Sequence, residues 1–231
     1  MGGRIPIAEI FRSVQGEGLL AGMPSTFVRV SGCNLRCGWC DTPYTSWHPE
    51  GLALAPEAVL ERAREPGAPR HVVLTGGEPM LYPAIVPLTD ALRRAGHHVT
   101  VETAGTVRQP VRADLLSISP KLAHSTPQGS GAWTHRHERR RIDVSVLRDL
   151  IAQGEHQLKL VVGRPSDLEE IQGLLAKLGS VEPERVLLMP QARSVPELDA
   201  IAGWLVAECD RLGFRYCDRL HIRLFGDRRG T

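Results

Sequence analysis

The sequence contains no apolar run approaching the roughly 20 residues that a helix needs to cross a bilayer. Its formal net charge is only +2, so the overall charge gives no indication of a nucleic acid or an anionic membrane as partner. The N-terminal stretch MGGRIPIAEIF lacks the basic region and long apolar segment of a secretory signal. Neither an internal repeat nor a linker divides the chain. We therefore expect a cytoplasmic protein whose residues 1–231 form a single domain with a substantial core.

Cysteine is scarce and unevenly distributed. Only five cysteines occur, and three of them, Cys33, Cys37 and Cys40, lie within eight consecutive positions. An odd number of clustered thiols makes a poor disulfide framework and is more typical of metal or redox chemistry in a reducing compartment. Cys209 and Cys217 belong to a predicted helix and a predicted strand, and we expect both to be small core residues.

Apolar, β-branched runs alternate with segments of helical periodicity along most of the chain. The runs predict strands at 5–11, 26–30, 71–74, 98–102, 115–119, 157–162, 185–189 and 214–222. The periodic segments predict helices at 56–65, 83–95, 144–153, 167–178 and 195–212, the last two beginning with capping boxes at Ser166 and Ser194. This alternation predicts an α/β fold with mainly parallel strands. About six βα units are visible rather than eight, so we expect an incomplete, open (β/α)6-type partial TIM barrel.

One segment interrupts the alternation. Residues 122–141, LAHSTPQGSGAWTHRHERRR, combine Gly, Ser and Pro with a basic run and predict a loop insertion. The basic residues 136–141, together with His135 and His137, suit an RNA contact or a metal tract. A solvated surface insertion is the interpretation we favour, because the run has no interleaved aromatic residues and no second basic patch.

Polar residues follow the predicted strands where each of them ends. Because the carboxyl ends of parallel strands lie on one face of a sheet, the loops there predict one shared site. The sequences at these ends are TGGEP (75–79), ETAG (102–105), SPK (119–121), MPQ (189–191) and LH (220–221). In the first of them, two glycines leave the backbone accessible to a ligand, and Glu78 can accept hydrogen bonds from an ammonium group.

An earlier glycine-rich stretch resembles a dinucleotide-binding fingerprint. Residues 16–21 match G-x-G-x-x-A, but Gly22 and Pro24 follow where a helix would have to begin, so we exclude a Rossmann site. Gln15 and Glu17 flank the flexible Gly16 and offer donors and acceptors suited to the edge of a heterocycle.

The cysteine spacing by itself leaves two kinds of centre open. A closed structural zinc site normally has four protein ligands, and His48 or Asp41 would have to supply the fourth. An iron–sulfur cluster held by three thiolates would instead leave one iron open to an outside ligand.

The pattern Cys33-x3-Cys37-x-Trp39-Cys40 resembles the signature of the radical S-adenosylmethionine (SAM) superfamily, and TGGEP is similar to that superfamily's second motif. The resemblance implies that the three thiolates hold a 4Fe–4S cluster and that SAM binds its fourth iron. It further implies that an electron from the cluster cleaves SAM to a 5′-deoxyadenosyl radical, which abstracts a hydrogen atom.

A narrower resemblance covers nearly the whole chain. The stretch EIFRSVQGEGLLAGMPSTFVRVSGCNLRCGWCDT, followed by TGGEPML, ETAG, SPK, LKLVV and a late LH, resembles the 7-carboxy-7-deazaguanine synthase family of queuosine biosynthesis. This implies a lyase that converts 6-carboxy-5,6,7,8-tetrahydropterin to 7-carboxy-7-deazaguanine by radical ring contraction with loss of ammonia. The implied cofactors are the 4Fe–4S cluster, SAM used catalytically and Mg²⁺.

The same resemblance implies a role for each matching residue. Cys33, Cys37 and Cys40 would bind the cluster, and the Thr42 hydroxyl would bind Mg²⁺, which prefers oxygen ligands. The residues implied to contact substrate, Arg29 through its planar fork on a carboxylate, are Val14, Gln15, Gly16, Glu17, Arg29, Thr75 and His221. Those implied to contact SAM are Trp39, Gly76, Gly77, Glu78, Glu102, Ser119, Pro120, Lys121, Met189 and Gln191.

Three features depart from the family pattern. Ala104 stands where Asn is common, Arg219 stands where Gln is expected, and the terminal GDRRGT extends past the strand near which the chain ends in some members of the family. The family also implies a homodimer and a flavodoxin- or ferredoxin-type reductant, with no direct nucleic-acid or membrane partner. Two alternatives remain at this point: an activase that installs a glycyl radical on another enzyme, and a non-catalytic zinc-binding module.

Overall fold

The computed structural model describes residues 3–231, so Met1 and Gly2 of the N-terminal stretch lie outside it. The strands in this part of the chain are β1 (Ile5–Val14), β2 (Pro24–Val30), β3 (Leu52–Leu54), β4 (His71–Gly76), β5 (His98–Thr103), β6 (Leu115–Ile118), β7 (His156–Val162), β8 (Val186–Pro190) and β9 (Arg215–Tyr216). They form one sheet in the order β3-β1-β2-β4-β5-β6-β7-β8-β9. Strands β2 and β4 to β9 pair in parallel, whereas β1 is antiparallel to both of its neighbours, β3 and β2. The sheet does not close on itself, which confirms the predicted open α/β barrel.

Helices connect the parallel strands. They are α1 (Pro43–Ser46), α2 (Pro56–Ala63), α3 (Ile85–Arg94), α4 (Ala132–Arg140), α5 (Val144–Ile151), α6 (Asp167–Leu178), α7 (Val195–Leu212) and α8 (Leu220–Phe225). Over residues 3–231 no helix is long and apolar enough to cross a membrane.

The two faces of the curved sheet differ in chemistry because side chains alternate along each strand. In β7, Leu158, Leu160 and Val162 are fully buried in the main core, which includes apolar residues of the helices. Lys159 and Val161, between them, line a cavity on the opposite face. The alternation thus builds the core on one face of the sheet and a polar site on the other.

The C-terminal end of the barrel differs from the prediction. Instead of a strand over residues 214–222, β9 has only two residues and is followed by a turn and α8. Strand β9 lies at the edge of the sheet and pairs with β8 alone, so beyond Tyr216 the backbone leaves the ladder. The Leu220 N–H donates to the Gly16 carbonyl (2.9 Å), and His221 therefore lies on a short helix rather than on a strand. Cys209 and Cys217 are both buried, as predicted.

The prediction of a loop over residues 122–141 is wrong in part. A turn of 3₁₀ helix at Ala123–Ser125 and all of α4 lie within this segment. Helix α4 is anchored by His137, which is fully buried and hydrogen-bonded to Ser125 through Nε2 (2.9 Å). One buried residue thus anchors a helix that has no apolar stripe, which explains why periodicity gave no signal.

Of the two predicted capping boxes, only the one at Ser194 forms, where Glu197 accepts the Ser194 N–H (3.1 Å). Ser166 has helical backbone angles and no side-chain cap. Instead, the Asp167 carboxylate accepts the N–H groups of Gly163 (2.9 Å) and Arg164 (3.1 Å), so the same turn is capped by a different acid.

Candidate active site

A cavity of about 640 Å³ opens on the inner face of the sheet, toward the carboxyl ends of its parallel strands. Of the residues proposed above for the site, all but Glu78 and Pro120 line it. The structure thus brings together Val14, Gln15, Gly16, Glu17, Arg29, Cys33, Cys37, Trp39, Cys40, Thr42, Thr75, Gly76, Gly77, Glu102, Ser119, Lys121, Met189, Gln191 and His221.

Residues 32–42, the cysteine loop, follow β2 and are held by backbone hydrogen bonds. The Gly32 N–H donates to the Thr45 carbonyl (2.8 Å), and the Gly32 carbonyl accepts the Glu78 N–H (2.9 Å). Gly77 lies so close to this loop that a Cβ there would come within 2.1 Å of the Gly32 oxygen. The second glycine of TGGEP is therefore required for the contact between the two loops.

The three loop thiols are free and line the same wall of the cavity. Burial raises the pKa of both Cys33 and Cys37 to about 12, so the charged thiolates need a compensating cation. Three thiols without a fourth nearby suit a cluster that leaves one iron open. Within residues 3–231, no group of three or more His, Cys, Asp or Glu side chains is placed to hold a single ion. His48, a fourth ligand in the zinc alternative, is exposed and is not among the lining residues.

Glu78 lies behind the cavity wall rather than in it. The side chain is fully buried, and its carboxylate accepts the Met80 N–H (3.0 Å), the Thr103 hydroxyl (2.8 Å) and the Ala104 N–H (2.8 Å). Burial raises the pKa of Glu78, and the three donors oppose that shift. Ala104 thus supports TGGEP through its backbone, a contact that does not depend on its side chain.

Trp39, Ser119 and Lys121 line the same cavity as the thiols. The Trp39 ring stacks on His124 with ring centroids 5.6 Å apart, and its buried Nε1–H has no hydrogen-bond partner among the described residues. Lys121 Nζ donates to the Ser119 hydroxyl (2.7 Å). An unpartnered buried donor beside a cationic side chain suits a polar ligand on this wall.

The loop after β1 folds back against the inner face of the sheet. The Leu19 N–H donates to Gln157 (2.8 Å), and the Gly18 N–H lies 3.0 Å from the Cys217 sulfur. This places Gln15 against Glu102, to whose carboxylate Gln15 Nε2 donates (3.1 Å).

The Glu102 carboxylate also accepts the Thr75 hydroxyl (2.7 Å). Glu102 and Gln15, although 87 positions apart in sequence, form one continuous row of donors and acceptors with Thr75.

Arg29 is prepared to bind a carboxylate. Its Nε donates to Glu9 (2.7 Å), the residue paired with it across β1 and β2. Tyr44 also donates to Glu9 (2.8 Å). Within residues 3–231 the two terminal nitrogens of Arg29 make no hydrogen bond, so the open side of the guanidinium remains for a ligand.

Four charged groups that the sequence analysis did not bring together form a buried network. Lys159 Nζ contacts Glu17 (2.5 Å) and lies 3.9 Å from Glu102. Arg219 donates to Glu17 (3.0 Å), Asp41 (2.5 Å) and the Ala192 carbonyl (2.6 Å).

The cations of this network determine the charge of Glu17. Burial opposes the charged carboxylate, but Lys159 and Arg219 together hold the pKa of Glu17 well below its usual value. The residue proposed to contact the substrate is therefore a permanent anion at neutral pH.

His221 packs directly against the Gly16 backbone. A Cβ at Gly16 would lie 2.0 Å from His221 Nδ1, so only glycine permits this approach. Burial lowers the pKa of His221 even though the Glu17 carboxylate, 3.9 Å from Nε2, opposes that shift. The imidazole is thus neutral at pH 7 and can both donate and accept hydrogen bonds.

Thr42 begins α1 at the end of the cysteine loop. Its hydroxyl lies 3.8 Å from the Cys40 sulfur and lines the cavity. The position offers an oxygen ligand next to the thiols, which suits a hard divalent cation.

Sequence reasoning missed Lys159, Asp41 and Arg219 as members of the site. Lys159 carried a signal, because it is the single charge in the apolar run QLKLVV, as Arg29 is in TFVRV. Asp41 was considered only as a zinc ligand and Arg219 only as a departure from the family pattern, and nothing in the sequence indicates their pairing, which joins positions 178 apart. The GDRRGT extension also borders the cavity through Asp227, Arg228, Arg229 and Thr231.

Comparisons with known proteins agree on one family. The Radical SAM superfamily model matches residues 27–141. The chain is 48% identical over 228 residues to the 7-carboxy-7-deazaguanine synthase of Rhodopirellula baltica, covering 97% of this chain and 88% of that protein. It is 45% identical to the enzyme of the same name from Halobacterium salinarum, with 98% and 92% covered. The crystal structure of QueE from Escherichia coli superimposes with a TM-score of 0.72 at 28% identity, covering 94% of this chain and 95% of that one. These similarities show that the chain belongs to the 7-carboxy-7-deazaguanine synthase family of radical SAM proteins.

Proposed function

We propose that this protein converts 6-carboxy-5,6,7,8-tetrahydropterin to 7-carboxy-7-deazaguanine with loss of ammonia, as a step toward queuosine or a related deazapurine. The observation that supports this most directly is the cavity itself, in which three thiols, an anion-binding arginine and a row of heterocycle-binding groups face one another. A glycyl-radical activase would have no use for such a set of small-molecule contacts.

Cys33, Cys37 and Cys40 would hold a 4Fe–4S cluster, and the wall formed by Trp39, Ser119, Lys121, Met189 and Gln191 would hold SAM. When bound, this pair of cofactors supplies the one-electron cleavage that starts radical chemistry. Cys37 is buried, whereas Cys33 and Cys40 are half-buried at the cavity wall, where a bound ligand would cover them.

The substrate would bind in the cavity between Arg29 on one side and Gln15, Glu17 and Glu102 on the other. The terminal nitrogens of Arg29 would take the pterin carboxylate in a planar, two-bond contact. Gln15 and Glu17 would bind the amino-pyrimidine edge, whose N–H groups match carboxylate and amide oxygens. Glu102, implied by the resemblance to contact SAM, is proposed here as a further substrate contact, because both Gln15 and Thr75 hydrogen-bond to its carboxylate.

His221 would contact the substrate from α8, with Gly16 leaving room for its ring. The Thr42 hydroxyl would bind Mg²⁺ beside Cys40. We propose in addition that the protein works in the cytoplasm as a homodimer, with a flavodoxin or ferredoxin as electron donor.

The test is anaerobic reconstitution of the protein with iron and sulfide, followed by incubation with SAM, Mg²⁺, dithionite and the carboxypterin. We expect three to four irons per chain and formation of the deazaguanine acid, followed by mass spectrometry. Absence of product from protein with an intact cluster would reject the proposed reaction. One zinc per chain without sulfide would reject the radical assignment altogether.

A further inference from the structure

Helix α4 presents a basic face to solvent. Arg136, Arg139 and Arg140 are exposed and lie at spacings of three and four residues, which places them on the same side of the helix. His137, on the adjoining side of the helix, is fully buried. In the described part of the chain, none of these three arginines makes an ion pair with a carboxylate. We call Arg136, Arg139 and Arg140 the arginine face.

The arginine face is attached directly to the cysteine loop. His137 Nδ1 accepts the Arg36 N–H (3.1 Å), and Arg140 reaches the Asn34 carbonyl (3.5 Å). The two loop residues in these contacts, Arg36 as donor and Asn34 as acceptor, lie between Cys33 and Cys37 in the sequence. Helix α4 therefore packs against the cysteine loop, on the stretch between its first two thiols.

Trp133 joins the two. Its ring contacts the guanidinium groups of Arg36, 4.1 Å from the centroid, and of Arg136, 5.4 Å from it. Cation–π contacts near the surface are worth about 0.5–1 kcal/mol each in general, enough to favour one orientation of the arginines. The same contacts occupy the ring, so it is not free to stack on a nucleic-acid base.

Three arginines without ion-pair partners beside the cysteine loop predict a specific kind of partner. Complementary charge raises the rate at which two proteins meet in one orientation. An acidic surface on a one-electron carrier would be directed by these arginines to the part of the protein nearest the thiols.

We propose that the arginine face is the docking site of an acidic, low-potential electron-carrier protein that reduces the cluster. This proposal rests on the proposed function, since that function requires a reduced cluster. In the docked complex the carrier loses one electron, for a flavodoxin by passing from hydroquinone to semiquinone, and the cluster held by the thiolates gains it.

The test compares protein and chemical reductants on the reconstituted enzyme. Arg136, Arg139 and Arg140 are changed together to Glu. Reduction by flavodoxin hydroquinone is followed by stopped-flow absorbance of the flavin over a range of salt concentrations. We expect the second-order rate to fall about ten-fold or more at low salt, and its dependence on salt to reverse or disappear. Reduction by dithionite, which needs no docking, should be unchanged.

A matched control carries the same change in net charge elsewhere. Arg64, Arg94 and Arg112 are exposed, lie before the starts of β4, β5 and β6, and are changed together to Glu. These positions lie toward the amino ends of the parallel strands, whereas the cysteine loop follows the carboxyl end of β2. Flavodoxin should therefore reduce this variant at close to the normal rate. Equal slowing in both variants would mean that only net charge matters and would overturn the proposal.

A second variant separates docking from damage to the fold. Changing the three arginines to Gln removes the charge without reversing it and should give an intermediate flavodoxin rate with normal iron content. An unchanged rate of reduction by flavodoxin in both the Glu and the Gln variant would reject the arginine face as the docking site. The proposal would also be rejected if these variants bound RNA more weakly than the unchanged protein while flavodoxin reduced them at the normal rate. Failure of the proposed reaction would appear differently, as absence of product even with dithionite.

Discussion

Replacing Arg219 with glutamine, the residue expected in the family, should destabilise the protein substantially. Arg219 has a side chain that is only 8% exposed, and it contacts Glu17, Asp41 and the Ala192 carbonyl at once. A neutral amide can replace one of these hydrogen bonds but not the charge. Asp41 would lose its ion-pair partner, while Glu17 would keep Lys159.

The size of the effect follows from burial. Removing one partner of a fully buried ion pair costs about 3–5 kcal/mol. The Asp41 side chain is 40% exposed, so water would partly replace Arg219 there, and Lys159 would still compensate Glu17. We therefore expect the free energy of unfolding to fall by about 2–3 kcal/mol, below the fully buried range and above that of surface pairs.

Urea unfolding under reducing, anaerobic conditions at pH 7 would measure this loss. Arg223→Gln is the matched control, because Arg223 lies on the same short helix and pairs with Asp218 and Asp199 at the surface. That control should lose less than about 1 kcal/mol. Equal losses in the two variants would refute the view that Arg219 holds two carboxylates across the cavity.

Three further predictions follow from the site and the core. Arg29→Ala should raise the KM for the carboxypterin at least ten-fold while SAM cleavage without substrate is unchanged, and equal loss of both would mean that Arg29 is structural. Gly16→Ala should lower activity by about ten-fold or more with a normal iron content, since the new methyl would displace His221; near-normal kinetics would contradict that contact. Finally, burial lowers the pKa of His71 to about 4, so between pH 6.5 and 4 the unfolded chain binds a proton that the folded one does not. The free energy of unfolding should therefore decrease as the pH is lowered through that window, by about 2 kcal/mol between pH 7 and pH 5. Urea unfolding at the two pH values should show a decrease smaller by this amount in His71→Gln.

The elements best predicted from sequence are those with strong local signals. Helices α6 and α7 begin and end where their periodicity predicts, and β4 to β8 lie within two residues of the predicted bounds. The prediction of a strand over residues 214–222 was wrong because its apolar residues are divided between the short edge strand β9 and helix α8. A short edge strand and a short helix have similar compositions, so the sequence does not distinguish them. Helix α4 was missed because its order comes from one buried histidine rather than from an apolar stripe.

The site divides in the same way. The thiols, Arg29 and TGGEP stand out locally, as a cluster, a charge within an apolar run and a glycine pair. Glu78 illustrates the limit: the sequence marks it as important, and only the structure shows its carboxylate turned behind the wall, against Met80, Thr103 and Ala104.

The sequence by itself determined the α/β class, the family and the local chemistry of the cysteine loop. These properties depend on spacing, periodicity and short motifs, all of which are read over a few turns of chain. Only the tertiary structure decided that Glu17, Lys159, Arg219 and Asp41 form one network, and that helix α4 packs against the cysteine loop. Such contacts join positions about 100 to 200 residues apart, and their charges are compatible with burial only because folding brings opposite signs together.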